Sequence, residues 1–146
     1  MDVKNKVCVH KRNIEDIKVG DNATLVRKVT SEDVFTMAEL SGDFNPIHID
    51  PEYAKTTRFK RVIAHGLYGA SMVSALLGND LPGLGTIIIS ENIKFLKPIY
   101  VGDTATATVV VDMVDYKTRR IQVSFYCTNQ EDERVMEGTA KTLLCD

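Results

Sequence analysis

Cysteine is scarce in this chain of 146 residues, and its placing says more than its number. Cys8, Cys127 and Cys145 are odd in count, lie far apart and form no CxxC pair. That argues against a disulfide framework or a zinc site, and for a reducing compartment. Surplus charge is lacking too. With 18 basic and 20 acidic residues the net charge is −2, so no global field recruits nucleic acid or acidic lipid. Long apolar runs are absent as well. The least polar stretch, residues 62–78, is broken by His65, three glycines and two serines, short of the roughly 20 residues a membrane span needs. The N-terminal "MDVKNKVCVHKRNIED" is too charged for a signal-peptide core. No linker or repeat divides the chain. The expectation is one cytoplasmic domain over residues 1–146, burying about two-thirds of its unfolded surface.

What is present falls into a readable order. "ATLVRKV", residues 23–29, predicts a first strand. At "TSEDVFTMAELSG" the period changes to helical. Ser31 offers an N-cap, Glu32 and Asp33 suit the positive helix end, and Val34, Met37, Ala38 and Ser41 share a face. Gly42 is a natural stop. A second helix of about 13 residues, roughly 20 Å long, is predicted from His65-Gly66. It is apolar nearly all round, which predicts burial. "TIIISENIKFLKPI" opens with a β-branched run suited to a strand buried on both faces. "DTATATVVVDMV" and "RIQVSFYCTN" alternate, and "VMEGTAKTLL" closes the set. These elements predict an α+β fold: an antiparallel sheet of about five strands curled around the one helix apolar enough to cover it.

The stretch "SGDFNPIHID" carries the chemistry. Asn45-Pro46 bends the chain between Asp43 and His48, and such a bend can fold both side chains toward one point. A carboxylate and an imidazole sharing a water form a general acid/base pair, and each proton transfer is typically worth about 10²–10⁴-fold. The plainer reading is a common turn beside a structural histidine, and spacing alone does not decide between them. A metal site has less support: the only histidines are His10, His48 and His65, with no HxxxH and no clustered carboxylates. Gly66 opens the apolar helix, so its N–H is an unpaired donor and its missing side chain admits a carbonyl. Such a donor can build an oxyanion hole; tight helix–sheet packing explains the glycine equally well. Ser71 and Ser74 are expected to face the interior, where a helical hydroxyl commonly bonds its own preceding turn.

Together "SGDFNPIHIDPEYA", "VIAHGLYGASMVSALLG", "LPGLGTI" and "NIKFLKPIYVGDTATATV" resemble the MaoC-like, (R)-specific enoyl-CoA hydratases. The similarity runs from about Thr30 to the C-terminus, weakest before Gly20. It implies a single hotdog fold, a homodimer, and an acyl-CoA tunnel at the protomer interface. It places the catalytic pair on Asp43 and His48, the oxyanion N–H on Gly66, and supporting roles on Asn45 and Ser74. It implies reversible syn addition of water to trans-2-enoyl-CoA. Coenzyme A is then part of the substrate, with no separate cofactor, metal, nucleic acid or membrane partner. By the same comparison His65 is taken as structural. Lys55, Arg58, Lys60 and Arg61 could meet CoA phosphates, though a charge run is more often a solvated face. Lys117, Arg119 and Arg120 belong to a hairpin. Phe44, Tyr53, Phe59 and Tyr68 could line a tunnel or be plain core. A hotdog thioesterase and a non-catalytic acyl-CoA-binding domain are the competing readings; thiol release would reveal the first, and unchanged enoyl-CoA the second.

Overall fold

In the computed structural model residues 8–145 are described; part of the charged N-terminal stretch, residues 1–7, lies outside them, as does residue 146. After a turn of 3-10 helix at Ile14–Asp16 come β1 (Asn22–Lys28), α1 (Ser31–Ser41), α2 (Pro46–Ile49), α3 (Pro51–Thr56) and α4 (Gly66–Asn79). Four strands follow: β2 (Thr86–Phe95), β3 (Thr104–Asp115), β4 (Arg120–Thr128) and β5 (Arg134–Leu144). The five strands form one antiparallel sheet in the order β1-β3-β4-β5-β2. Alternation explains how it faces. Ile121, Val123, Phe125 and Cys127 of β4 are all buried, and the residues between them are not. Cys127 packs as a small apolar group, and burial pushes its thiol up to about 11.

The 14-residue α4 lies across this inner face, with Tyr68, Met72, Val73, Leu76 and Leu77 in the core. Its predicted all-round burial does not hold. Leu67 is exposed, as are Ser71 and Ser74, which do not face the interior as expected. The sheet curls around only part of the helix, so one stripe stays open. Ser71 Oγ donates to the Tyr68 carbonyl at 2.6 Å, inside its own helix. The β2 expectation also needs correction. Among the described residues this strand lies at the sheet edge, paired only with β5, and Ile87 and Ile89 are half exposed instead of buried on both faces. The N-cap of α1 moves by one residue. Thr30 accepts from the Asp33 N–H while Asp33 accepts from the Thr30 N–H, a reciprocal capping box.

One glycine is fixed by space. A Cβ on Gly138 in β5 would sit 2.1 Å from the Asn92 carbonyl oxygen and 2.6 Å from Phe125 Cζ. Neither the β2 backbone nor the buried ring can retreat. Gly138→Ala is therefore expected to lower stability by about 3 kcal/mol, read as an earlier urea midpoint. Wild-type stability in that variant would contradict the packing.

Candidate active site

The site is assembled where four chain segments meet. Helix α1 ends at Gly42, whose φ of 76° turns the chain in a left-handed cap that most residues resist. Asp43 follows, its N–H donating to Ser41 Oγ at 3.2 Å and its Oδ1 accepting from the Asn45 N–H at 3.1 Å. The carboxylate is half exposed, with a side-chain accessibility of 53%. Asn45-Pro46 does more than make the expected turn. Asn45 Oδ1 accepts from the Ile47 N–H at 3.3 Å and caps α2, with Pro46 in its first turn. This one-turn helix presents His48.

His48 Nδ1 lies 2.7 Å from the Ile63 carbonyl. A carbonyl only accepts, so in the neutral ring Nδ1 carries the proton and Nε2 keeps its lone pair. The strap bearing Ile63 is itself pinned, with an antiparallel bridge from Ile63 to Tyr100 and a 2.7 Å bond from the Ala64 N–H to the Ile99 carbonyl. It leads to His65 and to Gly66 at the N-terminus of α4. The first N–H groups of a helix have no intrahelical acceptor, and the dipole adds positive potential there.

These segments border a cavity of about 500 Å³, reached by Asp43, His48 and Gly66 and walled by Phe59, Phe95 and Met136. Asp43, His48 and His65 each bring one donor atom within 4.8 Å of the others. The spacing of Asp43 and His48 thus closes in space. His65 is the residue the sequence reading left out of the site. It is 4% exposed, stacks on His48 with ring centroids 3.9 Å apart, and its Nε2 lies 2.9 Å from the Asp43 carbonyl. Only its position before Gly66 hinted at this. All three are of metal-ligating type, and the protonated Nε2 of His65 is engaged with the Asp43 carbonyl.

Of the candidate CoA-facing cations, Arg58 borders the cavity, its guanidinium 4.9 Å above the Phe59 ring. Lys55 pairs with Glu52 at 2.6 Å and Arg61 stacks over Tyr100, and neither borders this cavity. Arg119 bonds the Leu144 carbonyl at the hairpin. Ser74, on the open stripe of α4, is not part of the cavity wall. Of the four aromatics, Phe59 lines the cavity and Tyr68 is core, while Phe44 and Tyr53 are half exposed and are neither.

The family model for the MaoC like domain matches residues 14–133. The chain belongs to the MaoC-like family. An (R)-specific enoyl-CoA hydratase of Rhodospirillum rubrum is 40% identical over 130 residues, spanning 89% of this chain and 90% of that one. A 3-hydroxybutyryl-CoA dehydratase of Methylorubrum extorquens is 40% identical over 126 residues, 86% and 80% of the two chains. Among solved structures, an (R)-hydratase from A. caviae involved in PHA biosynthesis superposes with a TM-score of 0.87 at 36% identity, covering 90% of this chain and 99% of that one. The MaoC-like fold is thus the single hotdog that the resemblance implied, a five-stranded antiparallel sheet around a long helix.

Proposed function

We propose that this protein is an (R)-specific enoyl-CoA hydratase, adding water reversibly across the 2,3 double bond of a trans-2-enoyl-CoA to give the (R)-3-hydroxyacyl-CoA. The observation that carries this reading is the convergence of Asp43 and His48 at one end of an apolar-walled cavity that also receives the N-terminus of α4. Relatives named for this reaction support it.

A water held between the Asp43 carboxylate and the His48 Nε2 lone pair gives up a proton as its oxygen bonds to C3. The π electrons shift toward the thioester, whose oxygen gains negative charge facing the Gly66 N–H. A proton returned from the same pair then reaches C2, so that H and OH have both been added. Which side chain handles which proton is a property of the coupled pair. Because donor and acceptor stand on one side of the substrate, both atoms arrive at one face. Asn45 supports the site by capping the helix that carries His48. No separate cofactor enters these steps; the nucleotide end of the substrate lies toward Arg58.

The working unit is a homodimer. Along the β2 edge Ile87, Ile89 and Phe95 are 51%, 53% and 56% exposed, and Leu67 on the neighbouring α4 is 58% exposed. An edge strand this apolar is a template for pairing, and a second copy satisfies it. Sedimentation equilibrium is expected to give twice the chain mass, and Ile89→Lys to give monomers; a monomeric wild type would contradict this. The free thiols of Cys8, Cys127 and Cys145 suit a cytoplasmic setting. No helix among the described residues is long and apolar enough to cross a membrane.

The test is absorbance loss at the enoyl thioester band with crotonyl-CoA, followed by chiral analysis. Formation of (R)-3-hydroxybutyryl-CoA is expected. Release of free thiol without hydration would replace the reading by a thioesterase.

A further inference from the structure

We propose that His65 is a positioning residue of the hydration site, holding Asp43 in place by a hydrogen bond from its ring to the Asp43 main-chain carbonyl. The inference rests on the hydratase reading and adds to it a residue that need not touch the substrate's reacting carbons.

The three parts of the site come from separate pieces of chain. Asp43 lies in the loop after α1, His48 on a one-turn helix, and Gly66 at the start of α4. His65 meets all three. Its ring stacks on His48 at 3.9 Å, its Nε2–H donates to the Asp43 carbonyl at 2.9 Å, and its main chain continues into Gly66. Nε2 must be the protonated nitrogen, because a carbonyl cannot donate.

The usual reasons for a histidine here do not apply. As the residue before a helix it makes no side-chain capping bond. As a core filler it is poorly chosen: the side chain is 4% exposed, and its Nδ1 is buried with no hydrogen-bond partner among the described residues. A phenylalanine would present the same stacking face without that stranded nitrogen. What phenylalanine lacks is the donor at Nε2. The polar ring therefore stays where it is for the sake of Asp43. Its Nε2 also lies 3.9 Å from Asp43 Oδ2, close enough to bias the carboxylate's orientation without a full hydrogen bond.

Two variants of the full-length protein separate the contacts. His65→Phe keeps a stacking ring and removes the donor. His65→Gln removes the stack and places an amide N–H near the former Nε2. With crotonyl-CoA, His65→Phe is expected to lose about 10²-fold in kcat, the size of loss that misplacing catalytic groups by about 1 Å produces, with KM little changed. His65→Gln is expected to recover most of that loss. Both should unfold cooperatively near the wild-type midpoint. Wild-type kcat in His65→Phe, or equal losses in both variants that track lost stability, would overturn the proposal and leave His65 as packing. An inactive wild type fails differently: it removes the hydratase reading itself, and the inference with it.

Discussion

Asp43→Asn is expected to reduce crotonyl-CoA hydration by about 10²–10⁴-fold while the protein folds and melts as before. The substitution is nearly isosteric. The amide oxygen still accepts from the Asn45 N–H, as Oδ1 does at 3.1 Å, so the loop after Gly42 keeps its shape. Only the charge and the capacity to take a proton are lost. The side chain is half exposed, so losing the charge leaves no buried group unpaired. His48→Ala is expected to lose a similar factor, since it removes the Nε2 lone pair that the Ile63 carbonyl keeps free by binding Nδ1–H. Because both groups act on one water, the losses should not add. The double variant is expected to lie within about tenfold of the worse single variant. Near-normal turnover in either single variant, or fully additive losses, would contradict the shared-water geometry.

Gly66 permits a second test of similar size. Its proposed part is played by a main-chain N–H, which side-chain replacement ordinarily leaves untouched. Proline removes it. The first helical position tolerates proline because its N–H has no helical acceptor, and His65 before it is extended (φ −57°, ψ 144°), as a residue preceding proline prefers. Bulk has to be controlled, since a Cβ at residue 66 would lie 2.8 Å from Phe95 Cε1. That contact is with the end of the Phe95 ring, and whatever shift the ring makes is common to both the alanine and the proline variants. Gly66→Ala is therefore the reference: it adds the Cβ and retains the donor. Relative to Gly66→Ala, Gly66→Pro is expected to lose a further 10²–10³-fold or so in kcat. Equal kcat in the two variants would mean that the amide does not bind the developing charge.

Much of this arrangement could be read from local chemistry. Gly42 stops α1 because its φ is 76°, and glycine is the residue for that conformation. Helix α4 begins at Gly66, as expected from His65-Gly66, and β4 alternates as its residues do. What escaped the reading depends on partners distant in sequence. Ile87 and Ile89 have the composition of an interior strand, yet strand order places them at an edge. Ser71 and Ser74 sit in a helix too apolar to look half open, and how far a sheet wraps around it is not a local property. Helix α2 reads as a turn in the sequence because four residues are too few to show a period. His65 gives no local signal because its two contacts, with Asp43 and His48, lie 22 and 17 positions away along the chain. Motif spacing brought Asp43 and His48 into view; only the strap from Ile63 to Gly66 shows what steadies them.

Stereochemistry at C2 tests the shared-water geometry most directly. Hydration of crotonyl-CoA in deuterated water labels C2 with one deuteron, and its configuration relative to the new C3 hydroxyl can be assigned by proton NMR. One carboxylate and one imidazole serving a single water deliver both atoms to the same face, so the account predicts syn addition. Anti addition, or a mixture at C2 formed before product exchange, would contradict it.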